Sequence, residues 1–173
     1  MRSVIYTGVA LWMALGPALF AAEPAELGPY TFLLGEWVAC DSAHAGAGTA
    51  TFTRGLQDRV IIRTSYAITP AGDGKPASRH DDLMILFTGP EGVKADYYDN
   101  EGHVIRYVVH SPSAGEAVFL SESSASGPRF RLSYKLEATG KLSGEFAMAF
   151  PGAPDEFKPY LRWETCRAEG KSQ

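Results

Sequence analysis

The 173-residue chain has little cysteine, no block of like charge and, after its first 22 residues, no long apolar run. Each shortage excludes a class of protein. Nothing past residue 22 approaches the ~18 apolar residues that a membrane-spanning helix needs. With 16 Lys and Arg against 20 Asp and Glu, the formal charge is −4. That leaves no basic stripe for nucleic acid and no charged tail. Cys40 and Cys166 stand without a C-x-x-C pair or neighbouring histidines, which makes a poor metal set. G-x-S-x-G, H-E-x-x-H and phosphate-loop motifs are missing. "GAGTATFTRG" is rich in glycine but leads into a strand, so no helix amino terminus is there to hold phosphate.

Residues 1–22, "MRSVIYTGVALWMALGPALFAA", have the architecture of a secretory leader: Arg2, an apolar run, Gly16-Pro17, then Ala21 and Ala22. Removing them takes away Arg2 and no acid, so the formal charge falls from −4 to −5. The expectation is a signal peptide over 1–22, a single domain over 23–173, and export to the periplasm or beyond the cell. An oxidising compartment then makes a Cys40–Cys166 disulfide the expected state. Closing so long a loop would constrain the unfolded chain by ~4–5 kcal/mol in the entropy model.

After residue 30 the apolar residues recur with period two, not 3.6. "RFRLSYKLE" sets Phe130, Leu132, Tyr134 and Leu136 against Arg129, Arg131, Ser133 and Lys135. "KLSGEFAMAF" places Leu142, Phe146, Met148 and Phe150 on one face, with Gly144 among them, against Ser143 and Glu145. "PYLRWETCR" opposes Leu161 and Trp163 to Arg162 and Glu164, and "DRVIIRTSYAI" reads with Val60, Ile62, Tyr66 and Ile68 on its dry side. Turn clusters rich in Gly, Pro, Asn and Asp separate these runs. Roughly ten short strands with short links predict an all-β fold, an antiparallel up-and-down barrel.

Strand parity extends to the cysteines. If Trp37 and Trp163 face inward, Cys40 and Cys166, each three residues further on, both face outward. An even number of strands makes the first and last antiparallel neighbours. Both cysteines lie near the carboxyl ends of their strands, so a bridge requires a staggered register, with Cα atoms within ~7 Å.

"YYDNEGHVIRYVVH" reads as strand, turn and strand, with Asp99 in the turn. His103 shares a face with Ile105, Tyr107 and Val109. His110, an odd number of positions away, points to the other face with Arg106. In "HDDLM", His80 alternates with Asp82 and Met84, a histidine and a carboxylate on one side. The aromatics Trp37, Phe52, Tyr66, Phe87, Tyr97, Tyr107, Phe119, Phe130, Tyr134, Phe146 and Trp163 fall on the inferred dry faces. In a barrel of eight or more strands they either fill the interior or line a pocket.

"LLGEWVA", with Gly35-x-Trp37 opening the first strand, resembles the start of calycin barrels such as lipocalins and fatty-acid-binding proteins. Together with "HDDLMI", "YYDNEGHVIRY" and "FKPYLRWE" over residues 27–168, it looks most like the nitrobindin-like barrels and related uncharacterised bacterial families. The resemblance implies a small barrel closed at one end by Gly35 and Trp37, and an interior hydrophobic or haem pocket. Haem binders of that group take an axial histidine near the carboxyl terminus, and "KPYLRWETCR" has none. His103 or His80 would have to replace it, and Tyr160 is the nearest oxygen donor. No cofactor and no metal site is therefore expected.

The functional expectation is an exported barrel that binds a small hydrophobic or amphipathic molecule. Trp37 and Trp163 would shape the pocket, Tyr107, Tyr134 and Phe146 would line it, and His103 or Arg106 would orient a polar end. Two alternatives stand beside it. One is an isomerase or hydrolase using His80 or His103 with Asp82 or Asp99. The other is a filled barrel whose outer face binds an envelope protein.

Overall fold

The period-two pattern becomes ten antiparallel strands in a computed structural model that describes residues 27–41, 47–72, 74–122 and 126–168. They are β1 (Gly35–Ala39), β2 (Gly48–Gly55), β3 (Val60–Thr69), β4 (Ser78–Gly89), β5 (Gly92–Asp99), β6 (Val104–His110), β7 (Glu116–Ser121), β8 (Arg129–Leu136), β9 (Leu142–Ala149) and β10 (Lys158–Arg167). Each strand pairs with its neighbours in sequence and β1 pairs with β10, which closes an up-and-down barrel. Short links make this topology the natural one, because a hairpin needs few residues and a crossover many. The leader-like segment, and with it the division of the chain at residue 22, lies outside the described residues. No helix among those residues is long and apolar enough to cross a membrane.

The strand directions define two ends. One holds the amino end of β1 and the β2–β3, β4–β5, β6–β7 and β8–β9 turns. A 3₁₀ turn, Gly28–Leu33, lies under this end and buries Leu27, Tyr30 and Leu33 in the core. Period-two patterning does not pick out such a turn. Trp37 donates its indole N–H to the Leu33 carbonyl at 2.7 Å, and the Arg167 guanidinium lies 4.4 Å over its ring. Gly35 is required here twice over: its φ of 119° suits glycine alone, and a Cβ would collide with Arg167. This end is closed by packing.

Above that plug the interior is filled by aromatic rings. Tyr134 meets Phe52, Phe119 and Trp163 edge-on at 5.7, 6.0 and 6.0 Å, and Tyr107 meets Phe119 at 6.0 Å. Full burial of one such side chain stabilises the fold by about 1.5–3 kcal/mol. Gly144 is the gap in β9 into which the Trp163 ring fits.

The structure corrects the inferred faces of residues on two strands. In β3 the inward residues are Ile61, Arg63 and Ser65, while Tyr66 carries Arg79 on its outer side at 4.1 Å. Phe87 likewise faces outward, since Met84 and Leu86 fill the core from β4. Both parities of "VIIRTSYAI" contain aliphatic residues, so alternation alone favours the wrong face. Register decides, and a one-residue slip reverses every side chain. The β2–β3 turn sets that register, with Leu56, Gln57 and Asp58 all at positive φ.

Cys40 and Cys166 form a disulfide with Cα atoms 4.9 Å apart. The expected stagger is present: β1 pairs with β10 through Trp37–Arg167, Val38–Cys166 and Ala39–Thr165, while β10 starts at Lys158. Cys40 therefore sits two positions beyond the partner of Cys166. Three ladder pairs, the disulfide and a backbone bond from the Ala168 N–H to the Glu36 carbonyl at 2.8 Å are among the contacts that hold this seam.

Candidate functional site

The opposite, open end is polar on one wall and apolar on the other. On the polar wall, Arg63 is 6% exposed and Asp82 7% at its side chain. An isolated buried charge is very costly, and each of these answers the other. Arg63 donates to Asp82 through Nε at 3.1 Å and through Nη2, and to the Tyr134 hydroxyl through Nη1. Ser65 donates to the second Asp82 oxygen at 2.6 Å. Burial works against the Arg63 cation, yet the adjacent Tyr134 and Asp82 outweigh it and hold its pKa above the ordinary arginine value. Desolvation raises Tyr134, Tyr107 and Tyr97 above the usual phenol range, so all three stay protonated.

From there the network climbs to the rim. His80 Nε2 is 3.9 Å from Asp82 and 3.1 Å from the Tyr97 hydroxyl, and its Nδ1 is 3.1 Å from Glu101. Tyr97 donates to Asp99 at 3.2 Å. Asp99 also takes the backbone N–H groups of Glu101 and His103 at 3.0 and 2.9 Å, and the His103 ring at 2.9 Å. Burial opposes its ionisation, but those donors prevail and hold Asp99 below the ordinary carboxylate range.

The apolar wall comes from β8, β9 and β10. Phe130 stacks on Phe146 at 5.6 Å, and Tyr160 meets Phe146 edge-on at 6.4 Å. Between the two walls the barrel side is incomplete. The β6–β7 ladder begins at Tyr107–Ser121, so Val104, Ile105 and Arg106 extend past it. Ser121 accepts the Phe130 N–H with its side chain at 2.9 Å, in place of another ladder bond. An open depression of about 340 Å³ results, lined by Val104, Ile105, Arg106, Ser121, Glu122, Pro128 and Phe130. Ile105 is the cross-strand partner of Tyr97, so this depression adjoins the polar wall.

The expected site residues are dispersed by this architecture. Trp37 belongs to the closed end, and Tyr107, Tyr134 and Trp163 to the ring-filled interior. Phe146 stands at the open end, His103 is exposed at the rim, and Arg106 projects from the outer side of β6 into the edge of the depression. His80 contacts Glu101 through Nδ1 and Tyr97 through Nε2, and His103 lies outside the interior, against Asp99. Among the described residues no three His, Cys, Asp or Glu converge as a metal site.

Arg63, Ser65 and Ser121 escaped the sequence pattern, while Ile105 lies on the face of β6 that the pattern reads as dry. One signal was available for Arg63. Asp82 shares a face with Met84 and Leu86, and a carboxylate on a dry face calls for a cation of the same depth on an adjacent strand. No family model matches the chain, and a search of curated proteins finds no significant match. Geometry alone carries the functional argument.

Proposed function

We propose that the barrel binds a small amphipathic molecule at its open end. The observation that carries this is the depression itself. Ile105, Pro128 and Phe130 offer an apolar bed, and Arg106, which has no ion-pair partner among the described residues, stands at its edge. Its volume falls within the ~300–1,000 Å³ common for ligand sites. The apolar part of the ligand lies on Phe130 and Ile105, and its polar end turns to Arg106. Export is part of the proposal: the disulfide and the leader-like segment both support an oxidising compartment. The reading also takes the chain as calycin-like, supported by Gly35 and Trp37 at the start of β1 in a closed ten-strand barrel.

The test is displacement of a fluorescent long-chain fatty acid from the purified protein, with mass spectrometry of molecules extracted from it. Arg106→Gln, an exposed change, is expected to weaken the probe about tenfold, consistent with losing one charge-assisted hydrogen bond. Phe130→Ala is expected to weaken it further. No probe binding and no copurifying molecule would overturn the proposal.

General acid–base chemistry is a second reading, favoured by the His80 to Tyr97 contact beside Asp82. Turnover of an aryl-ester panel that survives His80→Asn would remove it.

A further inference from the structure

Among the described residues the large hydrophobic side chains left exposed are Leu56, Ile68, Tyr98, Val104, Phe150, Tyr160 and Leu161. Leu56 lies in the β2–β3 turn at the closed end. The other six are at the open end: Ile68 is the next-to-last residue of β3 and Tyr98 of β5, Val104 is the first of β6, Phe150 follows β9, and Tyr160 and Leu161 are in the first half of β10. Singly exposed apolar residues are ordinary. Their segregation to one rim calls for a cause.

Their distribution narrows the partner. A protein partner is met by one contiguous patch, whereas these residues come from strands spread around the barrel, from β3 to β10. A ring of this kind matches a partner that is flat and the same in every lateral direction. Tyr98 and Tyr160 combine an apolar ring with a polar tip, the side-chain type that suits a lipid–water boundary. The β-bulge between Pro159 and Leu161 leaves Tyr160 64% and Leu161 54% exposed side by side.

Charge narrows it again. Three rim cations are matched by acids, Arg79 with Asp81 at 2.8 Å, Arg129 with Asp155 at 2.6 Å and Arg162 with Glu145 at 2.9 Å. Arg106 and Lys158, without an ion-pair partner among the described residues, are offset at the same end by the acids Glu122 and Glu156. The chain as a whole is acidic, at −4. Anionic headgroups therefore gain nothing here, and a zwitterionic surface suits the mixed rim. We propose that the open end docks on the surface of a zwitterionic phospholipid bilayer, with Phe150, Tyr160 and Leu161 entering the headgroup boundary. This mode lies on the membrane rather than across it. It stands whether or not the depression holds a ligand; if it does, cargo enters from the lipid without crossing bulk water.

Flotation of the purified protein with phosphatidylcholine vesicles tests this. The protein is expected to float with the lipid, and Tyr160→Ser with Leu161→Ser to reduce its partition by roughly tenfold or more, since both changes remove apolar area that lipid would cover. Leu56→Ser, at the other end, is expected to float like the parent chain. Circular dichroism of each variant confirms the barrel. Three outcomes would overturn the proposal. One is no flotation at millimolar lipid. A second is flotation that requires phosphatidylglycerol and disappears at high salt. The third is a dimer seen by light scattering that ignores vesicles and is abolished by the same substitutions. Binding of the fluorescent fatty acid without vesicles reports the depression separately, so its failure leaves the flotation result standing.

Discussion

The two ends of the barrel reach stability by different physics. At the closed end, Trp37, Leu33 and Tyr30 are packed under the strands, with Arg167 as a lid on the indole. At the open end, charges and hydroxyls run from Arg63 at the base to His103 at the rim, facing a wall of partly exposed aromatics. The first arrangement depends on shape and is insensitive to pH. The second depends on every partner being present.

The comparison is broken most directly by one substitution at each end. Trp37→Ala is expected to cost about 3–5 kcal/mol, the range for deleting a large buried aromatic. Arg63→Met is expected to cost a similar ~3–5 kcal/mol for another reason, the unpaired Asp82 carboxylate left in the interior. Urea titration separates the two causes. Adding Asp82→Leu to Arg63→Met is expected to restore most of the loss, because a matched apolar pair replaces a matched charged pair. No second polar substitution repairs the Trp37 hole.

The disulfide comes next. Replacing Cys40 and Cys166 by alanine, or reducing the native protein, is expected to lower stability by about 2–4 kcal/mol. The β1–β10 seam should open first, seen as faster amide exchange at Val38 and Ala39. Alkylation of both cysteines before reduction would show that the bridge is not formed in solution.

Asp99→Asn sharpens the contrast with the smallest effect, about 1 kcal/mol at neutral pH from weakened charge-assisted bonds. The Asp99 pKa is depressed in the fold, so its contribution is complete above the unfolded carboxylate value of about 3.9 and is lost as pH falls through the folded value. The gap between parent and variant should therefore close in acid. Trp37→Ala should show a loss that does not vary over the same pH range.

Several features were legible in the residues themselves, for local reasons. Alternation in β8, β9 and β10 placed Tyr134, Phe146 and Trp163 inside, because a strand turns its side chain over at every step. The same parity put both cysteines outside, and barrel stagger brought them together. Glycine and asparagine marked the hairpins, and from those follows the up-and-down order. Tertiary structure decided the rest. The inward face of β3 depended on a turn whose three left-handed residues, Leu56, Gln57 and Asp58, carry no glycine. Arg63 could be inside only because β4 and β8 brought Asp82 and Tyr134 within reach. The depression exists because a ladder starts three residues late on β6. The ring of exposed apolar residues appears only when strands far apart in sequence end on the same rim. Period-two patterning records which residues share a strand face; it does not record which face wins, which charges meet, or where neighbouring strands stop.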